Sequence, residues 1–545
     1  MTQKSLLFTG GSILTMGEQM EAEAVVVQEE KVTFVGSLED AKIHSGNNYE
    51  TIDLQGQCLV PGFIDPHVHV MMLGMCNTWA DVSYPKVKNM DDLVAALQEH
   101  AKLLPAGATI RGFGFDKRQL EEERYPTAKD LDRVSTEQPV QIMNGSGHCN
   151  VVNTLLMNRI GITKDTEDPE GGSFGRDENG YPDGPIFDSA NDYLAEDIGV
   201  KPNNHGPNIH MPDSKDNLQR NIYEGQKLLI EAGFTTVNDV QVTKQEMESY
   251  LAARDSGLLK LRIELSYLSK YLDDIKEMGF SSTFGDDLLS MGSLKLYADG
   301  SLISGTAYMS YNDAERDEGY LFHEAEEFKN ILIEAHKYGL QTLTHAQGDG
   351  AIELVLQAVK TAQEACPRED VRHRVEHCGL PTEEQVKRMK KLGILPIPQP
   401  QHVYLYGDGI RNAIGEYGEN FSPYGWFKRE GVPVILSSDT PVAFPNAFEA
   451  IYNAVTRKTI YGNVIGENHK ITLEEALKGY TIEAAKAIHK EDKLGSIEQG
   501  KLADFAILSK NPFDVSSDDL QTIDVTETWV SGEQVFNKVE HSLTK

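Results

Sequence analysis

The sequence predicts an α/β protein built on a (β/α)₈ TIM-like barrel, with a composite β domain formed by both termini. Between residues 61 and 487, short apolar runs alternate with longer segments that carry apolar residues at helical spacing. Both ends of the chain hold only short β-rich runs. Strand-helix alternation over this length favours a parallel sheet with helices outside, and a closed barrel is its usual form at this size.

The β-rich ends are too small to stand alone. The first 60 residues contain runs that we interpret as antiparallel hairpins, at 12–15, 24–27 and 32–35. The C-terminal end repeats the pattern at 505–508 and 528–530. A two-stranded piece is only marginally stable in water. We therefore predict that residues 1–60 and 488–545 form one domain together.

The middle of the chain, 61–487, supplies the barrel. Its strand-like runs lie at 234–237, 261–265, 293–297, 340–344 and 434–437, and helical patterns cover segments such as 324–338 and 382–392. A doubly wound sheet is the alternative, but no Gly-rich phosphate loop follows an early strand. The stretch from about 151 to 212 is rich in Gly, Asp, Asn and Pro and has weak periodicity, so we expect an insertion there.

Composition excludes several classes of partner. The 545 residues carry a net charge of −33, which disfavours nucleic acid and anionic membranes because phosphate binding needs concentrated Lys and Arg. No apolar run approaches the roughly 18 to 20 residues of a membrane span, and the N-terminus lacks a signal peptide pattern. We expect a cytoplasmic protein. Five cysteines without close pairing predict buried thiols rather than disulfides.

The first chemical signal is the pair His67 and His69, which follows an apolar run and Pro61-Gly62. Residues i and i+2 of a strand point to the same side, so both imidazoles can reach one metal ion. By itself, such a pair is equally compatible with a metal site and with a structural role. Three later strand-like runs also end in residues able to bind a cation, at His345, His377 and Asp439. Since catalytic groups of a barrel come from the ends of several strands, the five side chains together predict a metal site.

A family resemblance rests on motifs spread over nearly the whole chain: His67-Val68-His69, Gly112 to Asp116, Gly147-His148, Asp168 to Gly172, Lys295 with Asp299-Gly300-Ser301, His345 to Asp349, Glu376-His377, Ser438 to Pro441, Gly495 to Ile497 and Gly500 to Asp504. In their order and completeness these resemble the amidohydrolase superfamily. The similarity is strongest to its metal-dependent amidohydrolase 3, or YtcJ-like, branch, which includes formamide deformylases. The resemblance implies a barrel with a composite β-sandwich domain formed by both termini.

The resemblance also implies an additional ligand. Lys295 matches the position at which many superfamily members carry a carboxylated lysine, a carbamate that bridges two metals. A carbamate presents two anionic oxygens, whereas an ordinary lysine is a poor cation ligand at neutral pH. The alternative is a plain lysine beside a single-metal site. We therefore expect one or two Zn²⁺ or similar divalent ions, and a homodimer from the family pattern.

The implied activity is hydrolysis of a carbon–nitrogen bond in a small amide, formamide or cyclic amide by metal-activated water. Asp439 is predicted to act as ligand and as general base. His148 is predicted to be catalytic, as a donor that helps to polarise the substrate carbonyl or hold the substrate, with a loop residue as the alternative. His402 and Asp299 are assigned to substrate binding. The alternatives are a deaminase or decarboxylase on the same site, and a non-catalytic regulatory protein, which would be expected to lack ligands that this chain retains.

Overall fold

The computed structural model describes residues 5–196, 199–211, 214–280, 282, 284–310 and 319–539. In chain order its strands are β1 (Ser5–Thr9), β2 (Ser12–Leu14), β3 (Glu21–Ala22), β4 (Ala24–Gln28), β5 (Lys31–Gly36), β6 (Tyr49–Asp53), β7 (Cys58–Pro61), β8 (Phe63–Val68), β9 (Ala80–Asp81), β10 (Ile110–Phe115), β11 (Val140–Asn144), β12 (Cys149–Val152), β13 (Gly172–Arg176), β14 (Pro182–Asp188), β15 (Phe234–Val242), β16 (Arg262–Leu268), β17 (Leu289–Tyr297), β18 (Gln341–Ala346), β19 (Arg374–His377), β20 (Leu395–Ile397), β21 (Phe505–Leu508), β22 (Val525–Val530) and β23 (Glu533–Asn537).

The helices, also in chain order, are α1 (Leu38–Ser45), α2 (Val70–Cys76), α3 (Met90–Ala101), α4 (Ala128–Asp132), α5 (Thr154–Arg159), α6 (Lys215–Glu231), α7 (Lys244–Asp255), α8 (Leu272–Met278), α9 (Ala325–Tyr338), α10 (Asp349–Ala365), α11 (Glu383–Leu392), α12 (Pro400–Ile414), α13 (Tyr424–Glu430), α14 (Ala447–Thr456), α15 (Leu473–Gly479) and α16 (Ile482–Ala487).

The central sheet is a parallel barrel with the strand order β20-β19-β18-β17-β16-β15-β8. The extended segment 434–440 closes the gap between its two edge strands. Thr440 forms a bridge to Val68 at the end of β8, and Ser437 Oγ accepts a hydrogen bond of 2.8 Å from the Gln399 side chain just after β20. The TIM-like barrel predicted from the sequence is confirmed.

Helix α11 shows why the helical patterns fold as predicted. The Thr382 hydroxyl accepts a hydrogen bond from the Gln385 amide, and the Gln385 side chain accepts one from the Thr382 amide, which satisfies two amides at the start of the helix. Val386 and Met389 are fully buried on its inner side. Gly393 ends the helix with a φ of 65°, a left-handed conformation that costs glycine little.

The barrel interior is polar and tightly hydrogen bonded. The side-chain amide of Asn238 donates to the backbone carbonyl of Glu264 at 2.9 Å and to Ser266 Oγ at 2.8 Å. Its own side-chain oxygen accepts from Arg374 Nη1 at 3.0 Å. These four side chains are almost completely inaccessible to solvent. Buried polar groups paired in this way fix the relative positions of β15, β16 and β19, and so of the residues that follow them.

Strands from both termini share one sheet, with the order β23-β22-β21-β7-β2-β3. Within it β21 runs antiparallel to β7 and aligns Phe505 with Pro61. A second sheet, β5-β4-β1-β6, packs against it. Phe8 joins the two layers, because its ring centroid lies 5.2 Å from Phe505 and 5.1 Å from Trp529. The two ends therefore bury their apolar faces against each other, as a β-sandwich does.

A further sheet, β13-β14-β12-β11-β10-β9, lies outside the barrel strands. The stretch 151–212, expected to be an insertion, contributes β13 and β14 to this sheet. The first strand of the sheet in chain order is β9, which begins at Ala80. Its apolar residues form clusters of their own, one of which includes Met72 and Met75 of α2 and Ile209. This sheet therefore packs against the element that follows β8.

Within the described ranges, the helices are all too short or too polar to cross a membrane. The five cysteines are free thiols; Cys366 is partly exposed and the other four are buried.

Candidate metal centre

The predicted histidine pair lies where β8 leaves the barrel. His67 is on the strand, and His69 directly precedes α2. The segment 434–440 runs alongside them, since the Asp439 amide donates to the His67 carbonyl at 3.0 Å and the His69 amide donates to the Thr440 carbonyl at 2.9 Å. Asp65 reinforces this pairing by accepting hydrogen bonds from the amides of His67 and Ser438. Local backbone pairing thus brings His67, His69 and Asp439 together.

Asp439 is at the centre of the site. Its Oδ1 lies 3.3 Å from Nε2 of both His67 and His69. Its Oδ2 lies 3.7 Å from His377 Nδ1 and 3.6 Å from His402 Nε2. Two sets of three ligand atoms, each within 4.8 Å of one another, share this carboxylate: His67, His69 and Asp439, and His377, His402 and Asp439.

Backbone strain is concentrated here. Asp439 and His377 have φ values of 57° and 66°, in the left-handed region that non-glycine residues seldom adopt. Such conformations persist where the surrounding structure enforces them, and they are frequent at functional sites. The strain supports a functional rather than a packing role for these two residues.

Hydrogen bonds fix which nitrogen of each histidine is free. His69 Nδ1 contacts the Val240 carbonyl at 3.0 Å and therefore donates, which leaves the lone pair on Nε2. His377 Nδ1 contacts Gln399 Oε1 at 2.9 Å and therefore also donates, which leaves the lone pair of His377 on Nε2. Nε2 of His67 and Nε2 of His402 are buried and have no hydrogen-bond partner in the described part of the chain. Orphaned buried nitrogens beside a carboxylate fit a bound cation, since such groups are normally paired.

His67 is held by a buried ion pair. Its Nδ1 bonds to Glu376 Oε2, and Arg374 contacts both oxygens of the same carboxylate, at 2.7 and 2.9 Å. All three side chains are fully buried. Burial alone would raise the pKa of Glu376, but Arg374 and His67 hold it well below its usual range. Glu376 therefore stays ionised and directs Nε2 of His67 toward Asp439.

Burial governs the ionisation of the remaining groups. It would raise the pKa of Asp439, but His67 and His377 hold that pKa well below its usual value. It lowers the pKa of His69 and of His402 to about 4 each. At neutral pH these imidazoles are uncharged, the form that binds metals.

Lys295, on β17, is completely buried, and its Nζ has no hydrogen-bond partner among the described residues. The ammonium group lies 4.7 Å from the ring centroid of Tyr297. Burial lowers the pKa of Lys295 to about 8, against the partly opposing charges of Glu376 and Asp439. A lysine with this pKa is partly neutral at physiological pH.

His345 lies beside the two ligand sets but is not a member of either. Its ring centroid is 4.4 Å from that of His377, and its Nε2 contacts the Gly300 carbonyl at 2.9 Å. Nε2 is therefore the donor, and Nδ1 is the nitrogen left with a lone pair.

Asp299, predicted to bind substrate, is fully buried and anchors a loop. Its two oxygens accept hydrogen bonds from the amides of Gln347, Gly348 and Tyr308, at 2.9 to 3.0 Å. One oxygen also lies 3.8 Å from His345 Nε2. Asp299 therefore lies behind His345, whereas Nε2 of His402, also predicted to bind substrate, lies 3.6 Å from Asp439 Oδ2.

His148 is paired with a residue that sequence inspection missed. Its Nδ1 bonds to Asp188 Oδ1, and the other oxygen of Asp188 accepts from the Tyr320 hydroxyl. The His148 ring centroid lies 5.0 Å from that of His345. Nothing in the sequence around Asp188 marks it, because its partner is 40 residues away. Arg374 and Glu376, by contrast, lie two residues apart in the strand that ends at His377, so the sequence places both on one face of that strand.

A small cavity of about 30 Å³ lies beside His69. Methionines form much of its wall: Met71, Met72, Met75 and Met211. Its volume is enough for about two water molecules.

Comparison with known proteins identifies the family. The model of the amidohydrolase family matches residues 50–536. The chain belongs to the amidohydrolase family. This confirms the resemblance inferred from the motifs, and it confirms the predicted enzyme class, a metal-dependent amidohydrolase.

Curated relatives match this amidohydrolase over almost its full length. It is 26% identical to N-substituted formamide deformylase from Arthrobacter pascens, over 98% of both chains. It is 28% identical to the putative amidohydrolase YtcJ from Bacillus subtilis (strain 168), over 98% of this chain and 99% of the relative. It is also 28% identical to the protein LONG AFTER FAR-RED 3 from Arabidopsis thaliana, over 97% and 91%.

Solved structures share the fold. An uncharacterized metal-dependent hydrolase from Pyrococcus horikoshii OT3 superimposes with a TM-score of 0.74, at 24% identity, covering 94% of this chain and 99% of the other. An uncharacterized metal-dependent hydrolase from Pyrococcus furiosus gives a TM-score of 0.72 at 24% identity, covering 94% of this chain and 100% of the other.

Proposed function

We propose that this amidohydrolase hydrolyses the carbon–nitrogen bond of a small amide, formamide or cyclic amide at a centre of two divalent ions, with Asp439 as general base. The observation that carries the proposal is the Asp439 carboxylate, whose oxygens lie 3.3 to 3.7 Å from four histidine nitrogens. The relationship to a formamide deformylase over the whole chain supports the bond class.

The donor set suits Zn²⁺ or a similar ion. His67 and His69 would hold one ion with Asp439, and His377 and His402 would hold the other with the same carboxylate. Neutral imidazole and carboxylate are ligands that Zn²⁺ prefers. When bound, the ions supply Lewis acidity, which lowers the pKa of water and polarises a carbonyl group.

The reaction transfers one proton from the attacking water to the leaving nitrogen. Asp439 is ionised, so it accepts a proton from the attacking water as the carbon–oxygen bond forms. It then donates that proton to the leaving nitrogen as the carbon–nitrogen bond breaks, and the products are a carboxylic acid and an amine. The buried position of Asp439, 5% exposed, keeps bulk water from competing for the proton.

His148 is suited to the carbonyl oxygen of the substrate. Asp188 fixes the ring through Nδ1, which directs Nε2 elsewhere, and the ring packs beside His345 at the edge of the centre. A donor held in place before the reaction stabilises negative charge on the oxygen better than a mobile one. His148→Ala should therefore lower kcat more than it raises KM, and an unchanged kcat would remove this role.

Lys295 and His345 remain in the proposed donor set on the family resemblance. Lys295 has no partner for Nζ in the described part of the chain, and its lowered pKa provides the neutral amine that reacts with CO₂. That addition forms a nitrogen–carbon bond with loss of one proton and yields an anionic carbamate. ¹³C NMR after incubation with ¹³C-bicarbonate tests this, with a carbamate resonance expected in the wild type and absent in Lys295→Met.

Asp299 has a positioning role in this proposal. By holding the amides of Gln347 and Gly348 it fixes the loop that follows β18, which carries His345. Its predicted role in substrate binding stays a prediction.

The central test is Asp439→Asn. The amide preserves size but can no longer accept the proton, so turnover of a formamide substrate should fall about 10²- to 10⁴-fold, the usual contribution of a general base. Asp255→Asn, at a side chain that is 69% exposed, is the matched control and should retain full activity. Metal content and thermal stability measured on both variants separate loss of the base from loss of the ions. Undiminished turnover in Asp439→Asn would refute the proposal.

A further inference from the structure

The small cavity beside His69 is too small for an organic ligand. It lies between helix α2, the segment 209–211 and the end of β15, and its volume is about 30 Å³. Sites for small organic molecules are about ten times larger or more. A single ion fits this space.

His210 presents an unpartnered nitrogen to this cavity. Its side chain is 8% exposed and forms part of the cavity wall. Nδ1 lies 3.0 Å from Glu246 Oε1 and donates to that carboxylate, so the lone pair of the ring is on Nε2. Nε2 is buried and has no hydrogen-bond partner among the residues that the structure describes. Because buried nitrogens are normally paired, this lone pair indicates a ligand-binding role.

Glu246 holds this imidazole as metal-binding histidines are held. Its carboxylate also accepts hydrogen bonds from the amide and the hydroxyl of Thr243, at the start of α7. Burial would raise the pKa of Glu246, but His210 and Thr243 hold that pKa below its usual value. A histidine that binds a metal almost always donates its other nitrogen to a carboxylate, a carbonyl or water. His210 already has such a partner in Glu246.

Three methionines of α2 line the same cavity. Met71, Met72 and Met75 are each at most 9% exposed. Residues three and four apart share a helix face, so Met75 lies beside both Met71 and Met72. A fourth methionine of the wall, Met211, is already engaged, since its sulfur accepts a hydrogen bond from the Gln141 amide at 3.4 Å. The wall therefore combines three neutral thioethers of one helix face with one imidazole.

Other polar side chains of the wall are engaged within the protein. Asp239 accepts a hydrogen bond from the Tyr250 hydroxyl. The Gln241 amide is bonded at both ends, to a backbone carbonyl and to a tyrosine hydroxyl. An ordered buried water needs two to four polar partners, and thioether sulfur is a weak acceptor. The surroundings of His210 Nε2 therefore suit a soft cation better than a water molecule.

We propose that this cavity binds one Cu⁺ ion, with His210 Nε2 and the thioethers of Met71, Met72 and Met75 as its ligands. Thioethers are soft ligands that favour Cu⁺, whereas the carboxylate and imidazoles around Asp439 suit divalent ions. Neutral ligands in a buried site also favour a monovalent ion, because the cost of burying an ion grows with its charge. The site does not depend on the proposed hydrolysis.

Anaerobic competition with the Cu⁺ chelator bicinchoninate tests the proposal. The reference protein is Cys366→Ser saturated with Zn²⁺, which lacks the partly exposed thiol and has the centre around Asp439 filled. It should bind Cu⁺ with 1:1 stoichiometry. In this background Met72→Leu and Met75→Leu should each weaken binding about tenfold or more, because leucine keeps the volume but removes a ligand. Met389→Leu, at a fully buried methionine of α11, is the matched control and should change the affinity less than about twofold.

X-ray absorption at the copper edge identifies the ligands directly. The Cu⁺-loaded reference protein should show sulfur neighbours together with one imidazole, and His210→Gln should lose the imidazole. If His210→Gln does not fold, the comparison of Met75→Leu with Met389→Leu decides the question. Absence of 1:1 binding, equal affinity in Met72→Leu, Met75→Leu and Met389→Leu, or a copper spectrum without sulfur neighbours would overturn the proposal.

Discussion

Replacing Glu376 with glutamine tests whether the ion pair behind His67 prepares the metal centre. The wild-type carboxylate accepts two hydrogen bonds from Arg374 and also contacts Nδ1 of His67. Glutamine has nearly the same shape, but its amide offers one acceptor oxygen in place of two. Its NH₂ group must therefore face a donor, either on Arg374 or on His67.

The expected magnitude follows from burial. Arg374 is 0% exposed, so Glu376→Gln leaves its charge without a counter-ion, which costs about 3 to 5 kcal/mol of unfolding free energy. Loss of the partner that orients a metal-binding histidine lowers metal affinity about 10- to 100-fold. That range corresponds to about 1.4 to 2.7 kcal/mol of binding free energy.

Two assays separate these effects. Urea unfolding of the metal-free proteins gives the change in stability, and competition with a chelator gives the Zn²⁺ affinity. The matched control is Glu353→Gln, in an Arg–Glu pair with Arg388 whose contact is 2.6 Å but whose side chains are about one third exposed. That substitution should cost less than about 1 kcal/mol and leave metal affinity unchanged. Zn²⁺ affinity of Glu376→Gln within twofold of the wild type would refute the inference that Glu376 fixes His67.

Three further predictions concern other parts of the molecule. Lys295→Met should lose about one equivalent of bound metal per chain by elemental analysis, because a carbamate supplies anionic ligands that methionine lacks; an unchanged metal content would exclude Lys295 as a ligand. Asp504→Asn breaks a buried contact with Arg262 at 2.7 and 3.0 Å. It should cost about 3 to 5 kcal/mol in urea unfolding, and a loss under about 1 kcal/mol would contradict this role in joining the terminal strands to the barrel. Because burial raises the pKa of Glu264 from 4.5 to about 7, the folded state holds a proton that the unfolded state has released in that window, so stability should fall as the pH rises through it. Glu264→Gln should reduce this fall by up to about 3 kcal/mol between pH 4.5 and 7, and an unchanged pH profile of stability would show that the carboxyl is not shifted.

The barrel and the terminal sheets could be predicted because hydrophobic patterns record local burial. Helix α11 follows from its capping residues and its apolar positions, and the pattern over 382–392 predicts it. The apolar run at 434–437 also predicts a strand-like segment there. The place of segment 434–440 between β20 and β8, however, depends on closure of the barrel, which no local pattern specifies.

The candidate metal centre also contains residues that local patterns predict and residues that they do not. His67 and His69 could be paired from spacing alone, because alternate residues of a strand share a side. His345, His377 and Asp439 could be added because catalytic groups follow barrel strands. Lys295 came from the family resemblance, since nothing in its local sequence distinguishes it from other lysines.

The sequence by itself thus determined the fold class, the family and most of the candidate ligands, because these depend on local periodicity and on short motifs. Only the tertiary structure decided their relationships. Glu376 contacts His67 across 309 residues of chain. His402 lies 3.6 Å from Asp439 although it lies at the start of a helix rather than at the end of a strand. The buried Glu264 has Lys490 Nζ 3.9 Å away, although the two residues are far apart in the sequence. Each depends on distances through space that closure of the barrel creates, and the order of residues along the chain does not encode those distances locally.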